Sequence, residues 1–227
     1  ASRTVPFVAK ARGMPIAKIA AKIMVGDSLG EVLKNYQVTK LSNYNVKESV
    51  FPFNKLDGVD LILGPEMKST GEVMGIDDTF LSSYIKSQIA CGNILPSEGN
   101  VFVSIDDDNK ESIISTARKL IKMKFNLFAT KGTAKYLNDN QIKAIQINKV
   151  KEGSPHIVDS LINKKIDLVI NTTKSQSSVK DSYSIRRTSL MYNIPYYTTI
   201  AGAKIAVDAI EHIEKNDFKI KSLQTLN

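Results

Sequence analysis

Residues 127–133 read Leu-Phe-Ala-Thr-Lys-Gly-Thr, a short apolar run that ends on hydroxyl, basic and glycine residues. Three further apolar runs, at 101–103, 145–147 and 168–170, also end on small polar or basic residues. Stretches with the apolar spacing of helices separate the runs, and a fifth, short strand is predicted at 195–198. Alternating strands and helices predict a mostly parallel sheet covered on both faces. The predicted fold class is therefore α/β, with a doubly wound parallel five-stranded sheet.

The residues that follow the strands favour an anionic ligand. Ligands of open α/β sheets bind beyond the carboxyl ends of the strands, and here those ends carry Thr130, Thr133, Lys149 and Asn171. Backbone N–H groups at the start of a helix attract anions, and both threonines lie at such a start. Lys110 lies in the first turn of another helix, where the dipole disfavours a cation unless an anion binds nearby. The pattern predicts a phosphate site.

Each of these residues also has an ordinary structural explanation. Threonine is a common N-cap residue, a lysine after a strand is most often solvated, and Asn and Thr are frequent in strand-to-loop turns. The acidic run at 106–108 could suggest a metal, but we favour a solvated turn and a helix start in which Asp108 and Glu111 form a capping box. The phosphate prediction rests on the common position of the residues at one edge of one sheet.

Composition argues against several other classes of protein. One cysteine, Cys91, excludes an internal disulfide framework and fits a reducing cytoplasm. Two histidines and one cysteine do not favour a zinc site, and we predict no metal in this chain. No apolar run approaches the roughly 18 residues of a spanning helix, so no membrane contact is predicted. The chain has a net charge of +8, but its basic residues are scattered and the sequence contains no nucleic-acid-binding motif. Nucleic acid is therefore not a predicted partner.

The first 92 residues have a less regular pattern. Apolar spacing predicts a helix over 14–25, strands over 46–53 and 61–63, and a helix over 79–90. Four apolar residues of the second helix are expected to face inward: Phe80, Tyr84, Ile85 and Ile89. Glycine, proline and serine are frequent between 91 and 100, and we place the boundary between domains 1–92 and 99–227 there.

Longer motifs resemble one family. Residues 63–75, Leu-Gly-Pro-Glu-Met-Lys-Ser-Thr-Gly-Glu-Val-Met-Gly, are similar to a long and specific signature of the large subunit of carbamoyl-phosphate synthetase. Shorter segments continue the resemblance at 1–7, 51–55, 128–134, 169–173, 185–187 and 196–199. The resemblance implies that residues 1–92 end the carbamoyl-phosphate-forming half, as the α+β tail of an ATP-grasp domain. It implies that residues 99–227 form an allosteric domain similar to methylglyoxal synthase.

The resemblance also assigns an effector pocket. The implied pocket residues are Ser104, Lys110, Thr130, Thr133, Lys149, Asn171 and Thr173. The two lysines, with Thr130 and Thr133, would hold a nucleotide phosphate, and Asn171 and Thr173 would face the sugar or base. UMP as inhibitor and, in some members, IMP as activator are the implied effectors. Gln176 and Ser177 stand where some relatives carry arginines, which leaves the preference for base and ribose open.

Two further assignments come from the resemblance alone. An ornithine pocket, in members that use it, would map onto Glu48, Tyr196 and Thr198, although Phe51 replaces an aliphatic residue near it. Arg3 resembles a family arginine near the transferred phosphate or carbamate and is the single catalytic candidate.

The implied function is the regulatory end of a larger ligase. The complete subunit would make carbamoyl phosphate from bicarbonate, ATP with Mg²⁺ or Mn²⁺, and ammonia delivered by a glutaminase small subunit, for arginine and pyrimidine synthesis. We expect the complete enzyme to be oligomeric and cytoplasmic, and this chain alone to hold no cofactor and to be inactive. Two alternatives stay open. One is a lyase like methylglyoxal synthase, which needs carboxylate bases and a histidine over the phosphate site. The other is a sensor domain with no enzyme attached, against which residues 1–92 argue because their signature resembles a synthetase core.

Overall fold

The computed structural model describes residues 4–36, 43–52, 69–173, 179–180, 182–216, 220 and 222. The chain forms two compact units. The first is made of Ala1–Val50, Thr70–Gly92 and Asp217–Asn227, and the second of Phe51–Ser69 and Asn93–Asn216. Several predictions lie outside the described residues: the strand at 61–63, Arg3, Gln176 and Ser177.

The described part of the first unit combines helices with a two-stranded antiparallel sheet. Its helices are α1 Thr4–Arg12, α2 Ile16–Met24, α3 Leu29–Leu33 and α4 Phe80–Ala90. Its strands are β1 Tyr44–Val50 and β2 Gly71–Asp77, which pair with Tyr44 opposite Asp77. The helices predicted at 14–25 and 79–90 are confirmed, and the strand predicted from residue 46 is confirmed as far as Val50.

Helix α4 packs on β2 through small residues. A Cβ built on Gly75 would overlap the backbone oxygen of Ser83, so the helix lies directly on the strand. The prediction that Phe80 and Ile89 face inward is wrong, because these side chains are 42% and 49% exposed. The close contact turns the serine face of α4 toward the strand instead, while Ile85 is buried as expected.

The second unit is built on a five-stranded parallel sheet, as predicted. Its strands are β3 Asn100–Ser104, β4 Asn126–Ala129, β5 Ala144–Gln146, β6 Leu168–Asn171 and β7 Tyr196–Tyr197. Their order is β5-β4-β3-β6-β7, so β3 lies at the centre. A helix follows each strand: α5 Lys110–Lys122, α6 Lys131–Asp139, α7 Ile157–Ile162, α8 Tyr183–Met191 and α9 Ile200–Lys215. The α/β fold class is confirmed.

The helices cover both faces of this sheet. Successive side chains of a strand point to opposite faces, and in β3 Val101 and Val103 belong to one buried apolar cluster while Phe102 belongs to another. Helices α5, α6 and α9 pack on the first face, and α7 and α8 on the second. The central strand is therefore buried on both sides, which makes its carboxyl end a rigid support for the loop that follows.

Helix α5 begins differently from the prediction. A 3-10 turn at Asp107–Asn109 leads into it, Asn109 is its N-cap residue, and no described side chain caps it. The capping box predicted for Asp108 and Glu111 is therefore wrong. The physical reason lies in Asp106, whose two carboxylate oxygens accept hydrogen bonds from Asn109 Nδ2 at 3.0 and 2.8 Å and close the turn before the helix starts.

Candidate functional site

All seven residues assigned to the effector pocket line one cavity of about 420 Å³ in the second unit. The cavity lies at the carboxyl edge of the sheet, because Ser104 ends β3, Thr130 follows β4 and Asn171 ends β6. Two of the seven residues are cationic: Lys110, at the start of α5, and Lys149, beyond β5. The structure thus brings together residues that are as many as 69 positions apart in the sequence, 104 to 173.

The first turn of α6 forms one wall of the cavity. Thr130 is the N-cap residue of α6, with an extended backbone, but its hydroxyl makes no capping hydrogen bond within the described part of the chain. Thr130 Oγ1 instead lies 3.4 Å from both Ser104 Oγ and Thr133 Oγ1. Because no described side chain caps this helix, its first backbone N–H groups and its positive dipole end suit an anion in the cavity.

Lys110 brings a positive charge to the same end of α6. Its Nζ lies 3.7 Å from the position that a Cβ on Gly132 would occupy, and 5.9 Å from the centre of the Tyr136 ring. Asp107 Oδ1 pairs with this Nζ at 2.6 Å, although the Asp107 side chain is 90% exposed and that of Lys110 only 21%. A cation held against a positive helix end is unfavourable on its own. A carboxylate or phosphate between them removes that conflict.

Lys149 lies on the exposed rim of the cavity. Its backbone N–H donates to Glu152 Oε2 at 2.8 Å, so this carboxylate closes the 3-10 turn at Val150–Glu152. The arrangement fixes the backbone of Lys149 and leaves its flexible side chain at the cavity mouth, where it can meet an incoming anion.

Asp106 and Thr172 also line the cavity. Thr172 is one of the polar residues that follow the predicted strand at 168–170, whereas Asp106 was expected in a solvated turn. The Thr172 hydroxyl donates to Asp106 Oδ2 at 2.6 Å and accepts the backbone N–H of Asp106 at 3.1 Å. Burial acts to raise the pKa of Asp106, but hydrogen bonds from Thr172 and Asn109 outweigh burial and hold the pKa below its ordinary value. No local motif signals this pair, since its members are 66 residues apart.

The residues assigned to ornithine lie in different units. Asn171 Nδ2 donates to Tyr196 Oη at 2.6 Å, so Tyr196 contacts a residue of the cavity. Thr198 is exposed beyond the end of β7. Glu48 lies on β1 in the first unit, where burial raises its pKa, although the hydrogen bond from Gln88 Nε2 at 3.1 Å acts in the opposite direction.

Neither histidine lines the cavity. His156 is the N-cap residue of α7, and its Nδ1 accepts the backbone N–H of Asp159 at 3.3 Å, while His212 lies on α9. Across the described ranges, no group of three His, Cys, Asp or Glu side chains could hold a metal ion. None of the helices in those ranges is long and apolar enough to cross a membrane.

Comparison with known proteins first gives the class of the domain. Residues 112–198 match the family model of the MGS-like domain. The second unit therefore carries an MGS-like domain. A solved methylglyoxal synthase from Elizabethkingia anophelis NUHP1 is 19% identical, covers 50% of this chain and 79% of its own, and has a TM-score of 0.39.

Relatives of the whole chain then give the family. The carbamoyl phosphate synthase large chain of Brucella suis is 50% identical over 228 residues, which are 99% of this chain and 20% of that protein. Relatives from Methanocaldococcus jannaschii and Methanopyrus kandleri, both named as the C-terminal section of this large chain, are 45% and 46% identical over 100% of this chain, which spans 38% and 43% of their lengths. This chain belongs to the carbamoyl phosphate synthase large-chain family and corresponds to its C-terminal section, which confirms the resemblance.

Proposed function

We propose that this chain is the allosteric part of a carbamoyl phosphate synthase large chain and that its cavity binds a nucleoside monophosphate. UMP is the first candidate and IMP the second. The observation that carries the proposal is the N-terminus of α6, which no described side chain caps and beside which Lys110 is held. A nucleotide phosphate supplies the negative charge that both the helix end and the ammonium group favour.

The charge distribution in the cavity supports an anionic ligand. Three carboxylates line it together with three lysines, but each carboxylate has a partner of its own. Asp106 accepts from Thr172 and Asn109, Asp107 pairs with Lys110, and Glu152 accepts the backbone N–H of Lys149. Of these contacts, only that of Asp107 involves a cationic side chain of the cavity. The Asp107 carboxylate is also exposed, so a phosphate can displace it from Lys110.

In the proposed orientation, the phosphate lies at the α6 end of the cavity, between Lys110, Thr130, Thr133 and Lys149. The sugar or base extends toward Asn171 and Thr173, which lie on the β6 side of the cavity. The orientation follows from charge, because the lysines and the helix dipole are at one end and neutral amide and hydroxyl groups are at the other.

A lyase like methylglyoxal synthase, acting on a small phosphorylated compound, is the second candidate. The presence of Asp106 in the cavity favours it, because such chemistry needs a carboxylate base. Two observations weigh against it. The lowered pKa makes Asp106 a weak base near neutral pH, and neither histidine lines the cavity.

For the complete protein, we propose ATP-dependent synthesis of carbamoyl phosphate from bicarbonate and glutamine-derived ammonia, in the cytoplasm, for arginine and pyrimidine synthesis. ATP, Mg²⁺ or Mn²⁺, a glutaminase small subunit and assembly into an oligomer belong to this proposal, as does ornithine as a second effector. In it, the first unit is the end of an ATP-grasp domain. The identity to large-chain relatives along nearly the whole chain is what supports these assignments.

Calorimetric titration with UMP, IMP, uridine and inorganic phosphate tests the effector site. Losing one charge-assisted hydrogen bond costs roughly 1.5–3 kcal/mol, so Lys149→Ala and Thr130→Ala should each weaken UMP binding about 10- to 150-fold. Lys215→Ala, on α9 and paired with Glu211, should be neutral. Equal affinity for uridine and UMP, or unchanged UMP binding in both cavity variants, would remove the site assignment. Binding of IMP without UMP would change the effector and keep the site.

A further inference from the structure

The loop that leaves the central strand β3 is held from both sides. On one side, the backbone N–H of Ile105 donates to Thr133 Oγ1 at 3.1 Å, which ties the loop to the first turn of α6. On the other side, the backbone N–H of Asp106 donates to Thr172 Oγ1 at 3.1 Å. The backbone N–H of Thr172 in turn donates to the backbone oxygen of Ser104 at 3.0 Å. The path of the loop is thus set by residues on α6 and at the end of β6.

The Asp106 carboxylate links this loop to the turn that follows it. It accepts the Thr172 hydroxyl at 2.6 Å and both hydrogen bonds from Asn109 Nδ2, while the Asp106 backbone oxygen accepts the Asn109 N–H at 3.1 Å. These contacts close the 3-10 turn at Asp107–Asn109, and the next residue is Lys110. The position of the Lys110 backbone therefore depends on Thr172, although Thr172 lies 62 residues later in the sequence.

We propose that Thr172 and Asp106 form a clasp that positions Lys110 for the phosphate, which makes Thr172 a positioning residue of the effector site. The inference rests on the proposed function. A lysine side chain has many rotamers, and ordering it costs free energy. Fixing its backbone beside Gly132 reduces the number of conformations that must be lost when the anion binds. The clasp thus lets two residues without positive charge set the affinity for an anion.

Isosteric variants test the clasp. Thr172→Val removes the hydroxyl and keeps the shape, and we expect it to weaken binding of UMP roughly 5- to 20-fold. Thr172→Ser restores the hydroxyl and should bind within about 2-fold of the wild-type protein. Thr116→Val is the matched control, because Thr116 is 2% exposed on α5 and its hydroxyl has no hydrogen-bond partner among the described residues. It should leave UMP binding unchanged.

A double-mutant cycle distinguishes positioning from a general loss of stability. In a Lys110→Ala background, Thr172→Val should weaken UMP binding by less than about 2-fold, because the group that the clasp positions is gone. Calorimetry on the whole chain gives the four dissociation constants, and circular dichroism checks that each variant is folded. Thr172→Val could fail to fold, in which case Asp106→Asn, which weakens the same hydrogen bonds, replaces it in the cycle with the same expected non-additivity.

Three results would overturn the clasp: equal losses from Thr172→Val in both backgrounds, equal losses from Thr172→Ser and Thr172→Val, or no loss at all. Inorganic phosphate is titrated alongside UMP. If phosphate binds and UMP does not, the proposed effector is wrong, and the same cycle measured with phosphate still decides the clasp. If neither binds the wild-type protein, the proposed function and the clasp both fail.

Discussion

Helices α6 and α9 both begin after a threonine with an extended backbone, yet the two helix ends are satisfied differently. Thr199 Oγ1 accepts the backbone N–H of Gly202 at 3.1 Å and caps α9. Thr130 holds the same position before α6 and makes no capping bond among the described residues, because its hydroxyl faces Ser104 and Thr133. A threonine therefore predicts where a helix begins. Its tertiary neighbours decide whether the first N–H groups are satisfied internally or by a ligand.

The largest expected difference between the two helix ends appears when a nucleotide is added. At a UMP concentration 100 times its Kd, the free energy of unfolding should rise by about 2.7 kcal/mol, because the ligand binds only the folded protein. At that same UMP concentration, Thr130→Val should lose about half to nine-tenths of this gain, and Thr199→Val should keep it. Urea denaturation followed by circular dichroism, with and without UMP, measures the gain. Equal stabilisation of both variants would contradict the comparison.

Without ligand, the order of the two variants should reverse. Thr199→Val should lower the free energy of unfolding by about 1 kcal/mol, since valine cannot accept the N–H of Gly202. Thr130→Val should cost less, because it removes no capping bond. Urea titration of the ligand-free variants gives both values. A greater loss for Thr130→Val than for Thr199→Val would mean that the Thr130 hydroxyl caps α6 in solution.

The smallest expected effect concerns Asp107, the carboxylate that pairs with Lys110. Asp107→Asn removes the ion pair with Lys110 and should tighten UMP binding by about 2- to 5-fold, since exposed ion pairs contribute at most about 1 kcal/mol. The gain should shrink as salt is added. Asp208→Asn, which breaks the ion pair with Lys119 between α5 and α9, is the control and should not change UMP affinity. Weaker binding by Asp107→Asn would show that Asp107 supports Lys110 rather than competing with the ligand.

Much of the second unit could be predicted from the sequence, because its central strands β3 and β6 are buried on both faces and its helices are amphipathic. Apolar runs and helical spacing predict all five strands and the helices between them. The first unit was predicted less well. Helix α4 turns serines toward β2 because Gly75 permits a close approach of two backbones, and apolar spacing alone assigns that face to Phe80 and Ile89. The spacing of apolar residues cannot predict this contact, because the contact depends on the absence of a side chain at Gly75.

Part of the candidate site could likewise be predicted from the sequence and part could not. Residues at the last position of a strand or directly after it, such as Asn171 and Thr130, could be placed at one edge because parallel strands end together. Asp106 and Thr172 occupy equivalent positions, but their role depends on a hydrogen bond between distant segments. A sequence gives the position of such residues and not their partners. Asp107 was expected to be a solvated turn residue, and its exposure agrees with this, but its ion pair with Lys110 emerged only from the structure.

The contact at Gly75 bears on how members of this family are recognised. Gly75 is the last residue of the motif at 63–75, and any side chain there would push α4 away from β2. Close packing of α4 on β2 explains why the motif ends on glycine, and no catalytic role is needed. A family member that had lost its enzymatic activity would still be expected to carry glycine at this position for as long as α4 packed on β2. A match at this end of the motif therefore reports the fold and not the reaction.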